Sequence, residues 1–281
     1  MLSLLLESLQ SYLPARVPSN LDWVLNVVGA GIGAITASVL EKHGALDRWI
    51  RFRARWFVPQ ARGALVLIAL WPFALLFPAT VPLGLGQVLE RVEAGLGQWL
   101  KDTPFLDWLP MRAVELQPLV PLSELVCVTL GALIPCLLGF SVIPSVARRL
   151  VFVVTVLLAG VGATLLSSAL SYGPAHAWSW LGLPVQIGLV LGFGGALLLA
   201  RVSGRYSAVL LLLVLGLYLA LINQGPSSAY FAQTLQTWEQ GRFIRFHGMA
   251  QWLAWLWPYA VLAYVLVRLA GAQEREPTMP A

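Results

Sequence analysis

The sequence is poor in charged residues. Only 11% of its 281 residues are Asp, Glu, Lys or Arg, whereas 58% are hydrophobic. Because a soluble domain carries about a quarter charged residues, this chain has too few to cover a globular surface. The apolar residues form long unbroken runs rather than the short alternating segments of a β-barrel. Composition therefore predicts an all-α integral membrane protein, with the lipid bilayer as its first partner.

Cysteine and histidine are also scarce, with two and three residues respectively. Cys127 and Cys136 lie in one predicted helix and point to opposite faces, about 13 Å apart along its axis, so they cannot bond to each other. The three histidines fall in separate loops, and the sequence has no P-loop, HExxH or GxSxG motif. The sequence therefore predicts no metal, no cofactor and no catalytic residue, and it favours a protein that is not an enzyme.

Seven apolar segments are long enough to cross the hydrocarbon core, which takes about 20 residues. The second contains Pro72, Pro78 and Pro82, which predict a kinked helix whose freed carbonyls are satisfied by neighbouring helices. In the fifth, the glycine-rich string at 192–195 favours close helix packing over phosphate binding. The predicted spans are 21–40, 64–85, 119–141, 150–170, 181–200, 206–223 and 251–270.

Orientation follows from Lys and Arg, which concentrate in cytoplasmic loops. The connection 41–63 is rich in basic residues, and placing it inside also places the arginines of 142–149 and 201–205 inside. The loop 171–180, which has no basic residue, then lies outside. The pattern predicts a multi-pass protein of the bacterial inner membrane with a cytoplasmic C-terminus. Because the net charge of +5 is spread over the ends of the spans, no nucleic-acid partner is predicted.

Two predicted outer segments, 86–117 and 224–250, mix aromatic and polar residues and are expected to form short amphipathic helices at the outer interface. The basic and aromatic run at 49–57 is expected to be a juxtamembrane interfacial segment, with a specific lipid or protein site as the alternative. Tryptophans near the outer boundary predict an aromatic belt that anchors the protein. They are Trp99, Trp108, Trp178, Trp180, Trp238, Trp252, Trp255 and Trp257.

The first 40 residues carry a polar constellation. Pro14 and Pro18 separate a short helix at 2–13 from the span 21–40, where helical spacing places four residues on one stripe. In the short helix, two polar residues three positions apart share a face. This cluster either joins two helices and fixes their turn, or forms a functional site open to the outer side. Its members are Glu7 and Gln10 in the short helix, Arg16 and Ser19 in the turn, and Asp22, Asn26, Gly29 and Gly33 on the stripe.

These residues also carry a resemblance to a known family. Their order resembles the C-terminal motif of VanZ-like membrane proteins, and the match occupies the domain 1–40. The multi-span domain 41–281 looks like the extended members of that family. The resemblance implies a link to low-level resistance to glycopeptides such as teicoplanin, through an envelope lipid or a lipid-tailed antibiotic at the outer leaflet. The matching residues are Glu7-x-x-Gln10, then Arg16, Ser19, Asp22, Asn26 and Gly29.

One part of the family pattern has no counterpart in this sequence. Family members begin with an earlier half that holds two spans and an acidic D-K-x-x-H-type segment, and nothing like it precedes Glu7. A misplaced start codon and a natural truncation are both open explanations. Association of the chain with copies of itself in a homo-oligomer is a further expectation.

Two other functions stay open beside this one. Kinked spans and glycine-rich helices favour a small-solute or lipid carrier, although no pair of interrupted helices with midplane charges is evident. An intramembrane enzyme acting on a lipid or cell-wall precursor would use Glu7 or Asp22 as a general base and Arg16 to bind phosphate.

A further acid, Glu124, lies just inside the predicted span 119–141. It precedes Gly131 by seven residues, which is also the spacing from Asp22 to Gly29. Glu124 is therefore interpreted either as a boundary acid near the outer interface or as an additional candidate site residue.

Overall fold

Helices make up every regular element in the part of the chain that the computed structural model describes, namely residues 20–105, 116–226 and 249–273. The predicted all-helical class is therefore confirmed. A short 3-10 turn, Pro174–His176, follows the sixth α-helix. The α-helices are α1 (Asn20–Lys42), α2 (Ala45–Trp56), α3 (Arg62–Ala74), α4 (Leu89–Leu100), α5 (Pro121–Val142), α6 (Val146–Tyr172), α7 (Leu183–Leu199), α8 (Gly204–Ile222) and α9 (Met249–Gln273).

The chain divides into two compact units, Met1–Arg55 and Trp56–Ala281. In the first unit, α1 ends at Lys42 and the chain turns at Gly44, whose φ of 63° suits a residue without a Cβ. Arg48 Nη2 donates a hydrogen bond of 3.0 Å to the His43 carbonyl and so ties the start of α2 to this turn. The basic and aromatic run at 49–57 is thus largely helical.

In the second unit, α5 is the central helix. It is completely buried from Gly131 to Val142 and packs mainly against α7 and α8, while α3 packs against α9. Two glycines make the contact between α5 and α7 close. A Cβ added at Gly188 would lie 2.8 Å from the Leu125 carbonyl oxygen, and one at Gly192 would lie 2.8 Å from Ala132 Cβ. The packing role predicted for the string 192–195 is confirmed at Gly192.

In the described part of the chain, four helices, α5, α6, α8 and α9, are long and apolar enough to cross a membrane. The helices α3 and α7 are apolar but shorter. Large apolar side chains such as Leu158, Leu213 and Val267 are exposed on the outside of this bundle. Such an apolar surface is stable in contact with hydrocarbon, whereas soluble proteins rarely expose apolar side chains to water along whole helices. The chain is therefore a helical membrane protein.

The predicted span 64–85 is helical only in its first half. The helix α3 ends at Ala74, and residues 75–88 form an irregular segment before α4 begins at Leu89. Pro72 lies in α3, and Pro78 and Pro82 follow it. Because proline has no amide hydrogen and disfavours helical geometry in the residue before it, the helix does not resume. An irregular segment thus replaces the second half of the predicted kinked helix.

The structure also bears on the two predicted outer segments and on the two cysteines. The helix α4 falls within 86–117, where a short helix was expected, whereas most of 224–250 lies outside the described residues. Cys127 and Cys136 are both buried in α5 and free, which confirms that they do not bond to each other.

One buried cation caps the ends of two helices. Arg149, in the first turn of α6, is only 4% exposed. Its guanidinium donates to the carbonyls of Phe140 and Ile143 at the end of α5, at 2.7 Å each, and to that of Ala200 after α7, at 3.0 Å. It also donates to the Val202 carbonyl. Helix C-termini present unpaired carbonyls and a partial negative charge, so a buried cation is favourable there.

Candidate functional site

The irregular segment 75–88 is held in place by the side chain of Asn223, the residue that follows α8. Asn223 Oδ1 accepts hydrogen bonds from the amides of Val88 and Leu89, each at 3.1 Å, and so caps the start of α4. Its Nδ2 donates to the carbonyls of Gly86 at 3.1 Å and Leu219 at 2.9 Å. One amide side chain therefore satisfies three backbone groups outside regular pairing, the Gly86 carbonyl and the Val88 and Leu89 amides, and is itself held by the Leu219 carbonyl.

A tyrosine holds the middle of the same segment. The hydroxyl of Tyr218, a fully buried residue of α8, donates to the Leu83 carbonyl at 3.2 Å and accepts from the Leu85 amide. Leu83 has a φ of 60°, which a leucine rarely adopts, so this contact fixes an uncommon backbone conformation.

The segment is also fixed from α9. The Gly86 amide donates to the Ala254 carbonyl at 2.7 Å, and the Tyr259 hydroxyl donates to the Gly86 carbonyl at 3.1 Å. Non-helical backbone at membrane depth persists only where protein or trapped water pairs its polar groups. The segment meets that condition with side chains and carbonyls of α8 and α9.

The irregular segment forms one wall of a cavity of about 240 Å³, here called the acidic cavity. The other walls are the first turn of α5, the last turns of α6 and the loop that leads to α7. Glu124 is the only carboxylate in the described lining, which contains no Lys, Arg or His. The polar groups of the acidic cavity are Glu124, Thr80, Thr164, Ser167, Ser168, Tyr172 and Ser179, and its apolar groups include Leu75, Phe77, Val81 and Trp180.

Most hydroxyls of the acidic cavity already use their hydrogen as a donor within the protein. Each hydroxyl oxygen keeps lone pairs that can accept a hydrogen bond. With Glu124 beside them, these groups present acceptors and one negative charge to whatever occupies the cavity. The donor–acceptor pairs are Thr80 to Gln87 Oε1 (2.7 Å), and, to backbone carbonyls, Thr164 to Gly160 (2.9 Å), Ser167 to Leu76 (2.8 Å), Ser168 to His176 (2.9 Å) and Ser179 to His176 (2.7 Å).

Glu124 lies at the start of a helix, where the helix dipole favours a carboxylate. It occupies the first turn of α5, behind Pro121 at the start of the helix. Proline fits this position because the first amides of a helix have no internal partner, and the positive end of the helix dipole stabilises an anion there. The side chain is half-buried, so its charge remains accessible from the cavity.

The predicted residues of the N-terminal constellation are only partly described. Glu7, Gln10, Arg16 and Ser19 lie outside the described residues. The positions of Asp22, Asn26, Gly29 and Gly33 all fall within α1, as predicted. A Cβ added at either of these glycines would meet no described atom within 4 Å, so the close helix contact expected there stays a prediction. Of the candidate residues named from the sequence, only Glu124 is placed in a described cavity.

Sequence reasoning missed the hydroxyl residues that line the cavity together with Glu124. Thr164, Ser167 and Ser168 are spaced as one helical face of the predicted span 150–170. Polar residues on one face of an apolar helix indicate an interior contact or a cavity. This signal was present in the sequence, although it does not identify the irregular segment as the opposing wall.

Fold and site together define a helical membrane protein with a polar, acceptor-rich cavity at one end of its bundle. Comparison with protein-family models, with curated proteins and with solved structures gave no match. The function is therefore inferred from the residues of the cavity themselves.

Proposed function

We propose that this protein binds the polar end of an amphiphilic envelope molecule in the acidic cavity, with the apolar part of that molecule lying against the bundle in the lipid. The observation that carries this proposal is the position of a charged, hydroxyl-lined cavity at the ends of apolar helices. Midplane sites are typical of secondary carriers, whereas this cavity lies where α5 begins and α6 ends.

Residues around the cavity support an interfacial ligand. Trp180 lines the cavity and Trp178, in the same loop, is 58% exposed. Tryptophan is enriched at the boundary between headgroups and hydrocarbon. Leu122, one residue after the start of α5, is 70% exposed and lies two positions from Glu124. A polar cavity with an apolar rim suits a molecule that has a headgroup and a tail.

The lining also selects the chemistry of the headgroup. Hydroxyl oxygens and a carboxylate accept hydrogen bonds, so they favour an ammonium or a group rich in hydroxyl and amide hydrogens. The described lining contains the Glu124 carboxylate and no cation that could pair with a phosphate. The proposed ligand is therefore an amine-bearing or hydroxyl-rich amphiphile.

The proposal includes a topology and a family relationship. We propose that the protein has seven spans, namely the four long apolar helices and, in addition, α1, α3 and α7. In this topology the acidic cavity lies on the outer side of a bacterial inner membrane, and the C-terminus lies in the cytoplasm. The resemblance of 7–33 to VanZ-like proteins supports a role with envelope lipids or lipid-tailed glycopeptides. A small-solute carrier is the second candidate, because the interruption of 64–85 at Ala74 is a feature of carrier helices.

Binding of phosphatidylethanolamine, which carries an ammonium group, tests the role of the acidic cavity. The purified full-length protein is titrated with this lipid in detergent and bound lipid is counted by native mass spectrometry. Glu124→Gln keeps the size of the side chain and removes its charge, so we expect binding about fivefold weaker, equivalent to about 1 kcal/mol. Asp102→Asn is the control, because Asp102 is exposed and does not line the cavity. Equal binding by both variants would contradict the proposal.

Two further assays separate the alternatives. Replacing Asp22 or Arg16 by Ala should remove teicoplanin resistance from a host expressing the protein, with unchanged membrane insertion. Resistance that persists in both variants would exclude the role implied by the VanZ-like motif. Solute uptake by liposomes that contain the protein would support the carrier instead.

A further inference from the structure

The other end of the bundle holds a second cavity, of about 360 Å³, here called the basic pocket. It lies where α5 ends, α6 begins, and the loop between α7 and α8 turns. Its polar lining includes Arg149, Arg201 and Ser203, and its apolar lining includes Val58, Ile143 and Val146. No described residue of the lining is acidic.

The charge of this region is set by the sequence around it. Between Glu124 and Glu239 the chain contains no Asp or Glu, so both loops that form the pocket carry arginines without a neighbouring acid in sequence. Arg268 reaches the same place from α9, since its Nη2 donates to the Ser141 carbonyl at 2.8 Å, and Ser141 lines the pocket. The basic pocket therefore lies in an excess of positive charge.

The two arginines of the lining have different tasks. Arg149 donates from its guanidinium to four backbone carbonyls and is almost fully buried. Arg201 is exposed at the mouth of the pocket. Arg149 therefore stabilises the backbone that forms the pocket, and Arg201 supplies the accessible cation.

The start of α8 contributes backbone hydrogen-bond donors to the same pocket as Arg201. Ser203 is the N-cap of α8 and makes no side-chain capping hydrogen bond, and Gly204 at the first helical position also lines the pocket. The first amides of a helix lack internal acceptors, and they sit at the positive end of its dipole. Arg201 and the first turn of α8 thus face the same pocket with a cation and with amide hydrogens.

We propose that the basic pocket binds a phosphate oxyanion, supplied either by the headgroup of an anionic phospholipid or by free phosphate. Arginine and a helix N-terminus are the two protein groups best suited to this anion. Basic pockets between membrane helices bind anionic lipid headgroups in the same way. The site is separate from the acidic cavity and does not depend on the function proposed for it.

Native mass spectrometry of the full-length protein in detergent tests this site with phosphatidylglycerol as the probe. We expect a bound phosphatidylglycerol at concentrations where phosphatidylcholine does not bind. Arg201→Gln should weaken that binding about fivefold, since one basic residue near an anionic lipid contributes about 1 kcal/mol. Arg205→Gln is the matched control, because it removes the same charge from a nearby exposed residue that does not line the pocket.

Competition between phosphatidylglycerol and excess inorganic phosphate identifies the source of the oxyanion. Displacement of phosphatidylglycerol assigns the site to free phosphate, and retention assigns it to the lipid headgroup; both results support an oxyanion site. Equal weakening by Arg201→Gln and Arg205→Gln would overturn the proposal, because it means that the pocket has no specific role. Equal binding of phosphatidylcholine would also overturn it, because the choline cation of that lipid offsets the charge of the same phosphodiester. Retained helicity and a single species on size exclusion show that both variants are folded.

Discussion

The two ends of the helical bundle are built from the same helices but have opposite chemistry. At one end, the start of α5 and the end of α6 surround Glu124 and a set of hydroxyl oxygens. At the other end, the end of α5 and the start of α6 surround Arg149 and Arg201. Although α5 and α6 contribute to both, the remaining wall differs, since it is the irregular segment 75–88 at one end and the loop between α7 and α8 at the other.

Each cavity is also stabilised by a different kind of contact. The acidic cavity depends on an irregular segment whose backbone groups are paired by Tyr218 and Asn223. The basic pocket depends on helix ends whose carbonyls are paired by one guanidinium, that of Arg149. A single substitution should therefore damage one end and leave the other intact.

The largest effect is expected at the basic end, from Arg149→Leu. The substitution leaves buried carbonyls of four residues without their donor, so we expect the free energy of unfolding to fall by about 4 kcal/mol. Thermal unfolding of the purified protein in detergent measures this loss. Arg148→Leu is the control, because Arg148 lies 5.9 Å from the Trp56 ring and contributes about 1 kcal/mol or less by that contact. Equal destabilisation by the two changes would show that Arg149 is not a cap.

A smaller effect is expected at the acidic end, from Tyr218→Phe. This change keeps the ring and removes the hydroxyl that pairs with the Leu83 carbonyl and the Leu85 amide. We expect a loss of about 2 kcal/mol, because two buried backbone groups lose a partner. The protein should also bind phosphatidylethanolamine more weakly while its phosphatidylglycerol binding is unchanged. Tyr206→Phe, on the exposed face of α8, should have no effect on either.

The smallest effect is expected between the two ends, from Gly192→Ala. The added Cβ would meet Ala132 Cβ at 2.8 Å, so α5 and α7 must separate slightly, at a cost of about 1 kcal/mol. Gly194→Ala should instead increase stability slightly, because a Cβ there meets no described atom within 4 Å and alanine favours the helix. A loss of stability in both variants, measured by thermal unfolding, would argue against close packing at Gly192.

Sequence reasoning was most successful where one physical effect dominates. Low charge and long apolar runs lead directly to membrane helices, and α5, α6, α8 and α9 lie close to predicted spans. Gly192 is likewise informative from the local sequence alone, since a residue without a side chain in an apolar helix allows a neighbouring helix to approach closely. Glu124 lies in the first turn of α5, and its interpretation as a boundary acid stays a prediction.

The sequence was less informative where partners are far apart along the chain. Nothing near Pro78 and Pro82 shows that the backbone after them, from Gly86 to Leu89, will pair with Asn223, so a kinked helix is the simpler expectation. Arg149 was interpreted only as an orientation signal, because its four carbonyl partners belong to segments on both sides of it. Such contacts depend on the packed structure and have no counterpart in local spacing.

The irregular segment 75–88 has a consequence for how the protein is made. Its partner Tyr218 lies 133 residues after Leu85, and Asn223 lies 135 residues after Val88. At a synthesis rate of about 5–20 residues per second, roughly 7–27 s separate the emergence of the segment from that of α8. During that interval the backbone groups that later pair with Tyr218 and Asn223 lack these partners and are not stable in hydrocarbon. The insertion machinery or surface water must therefore hold the segment until α8 arrives, and the acidic cavity is completed late in biogenesis.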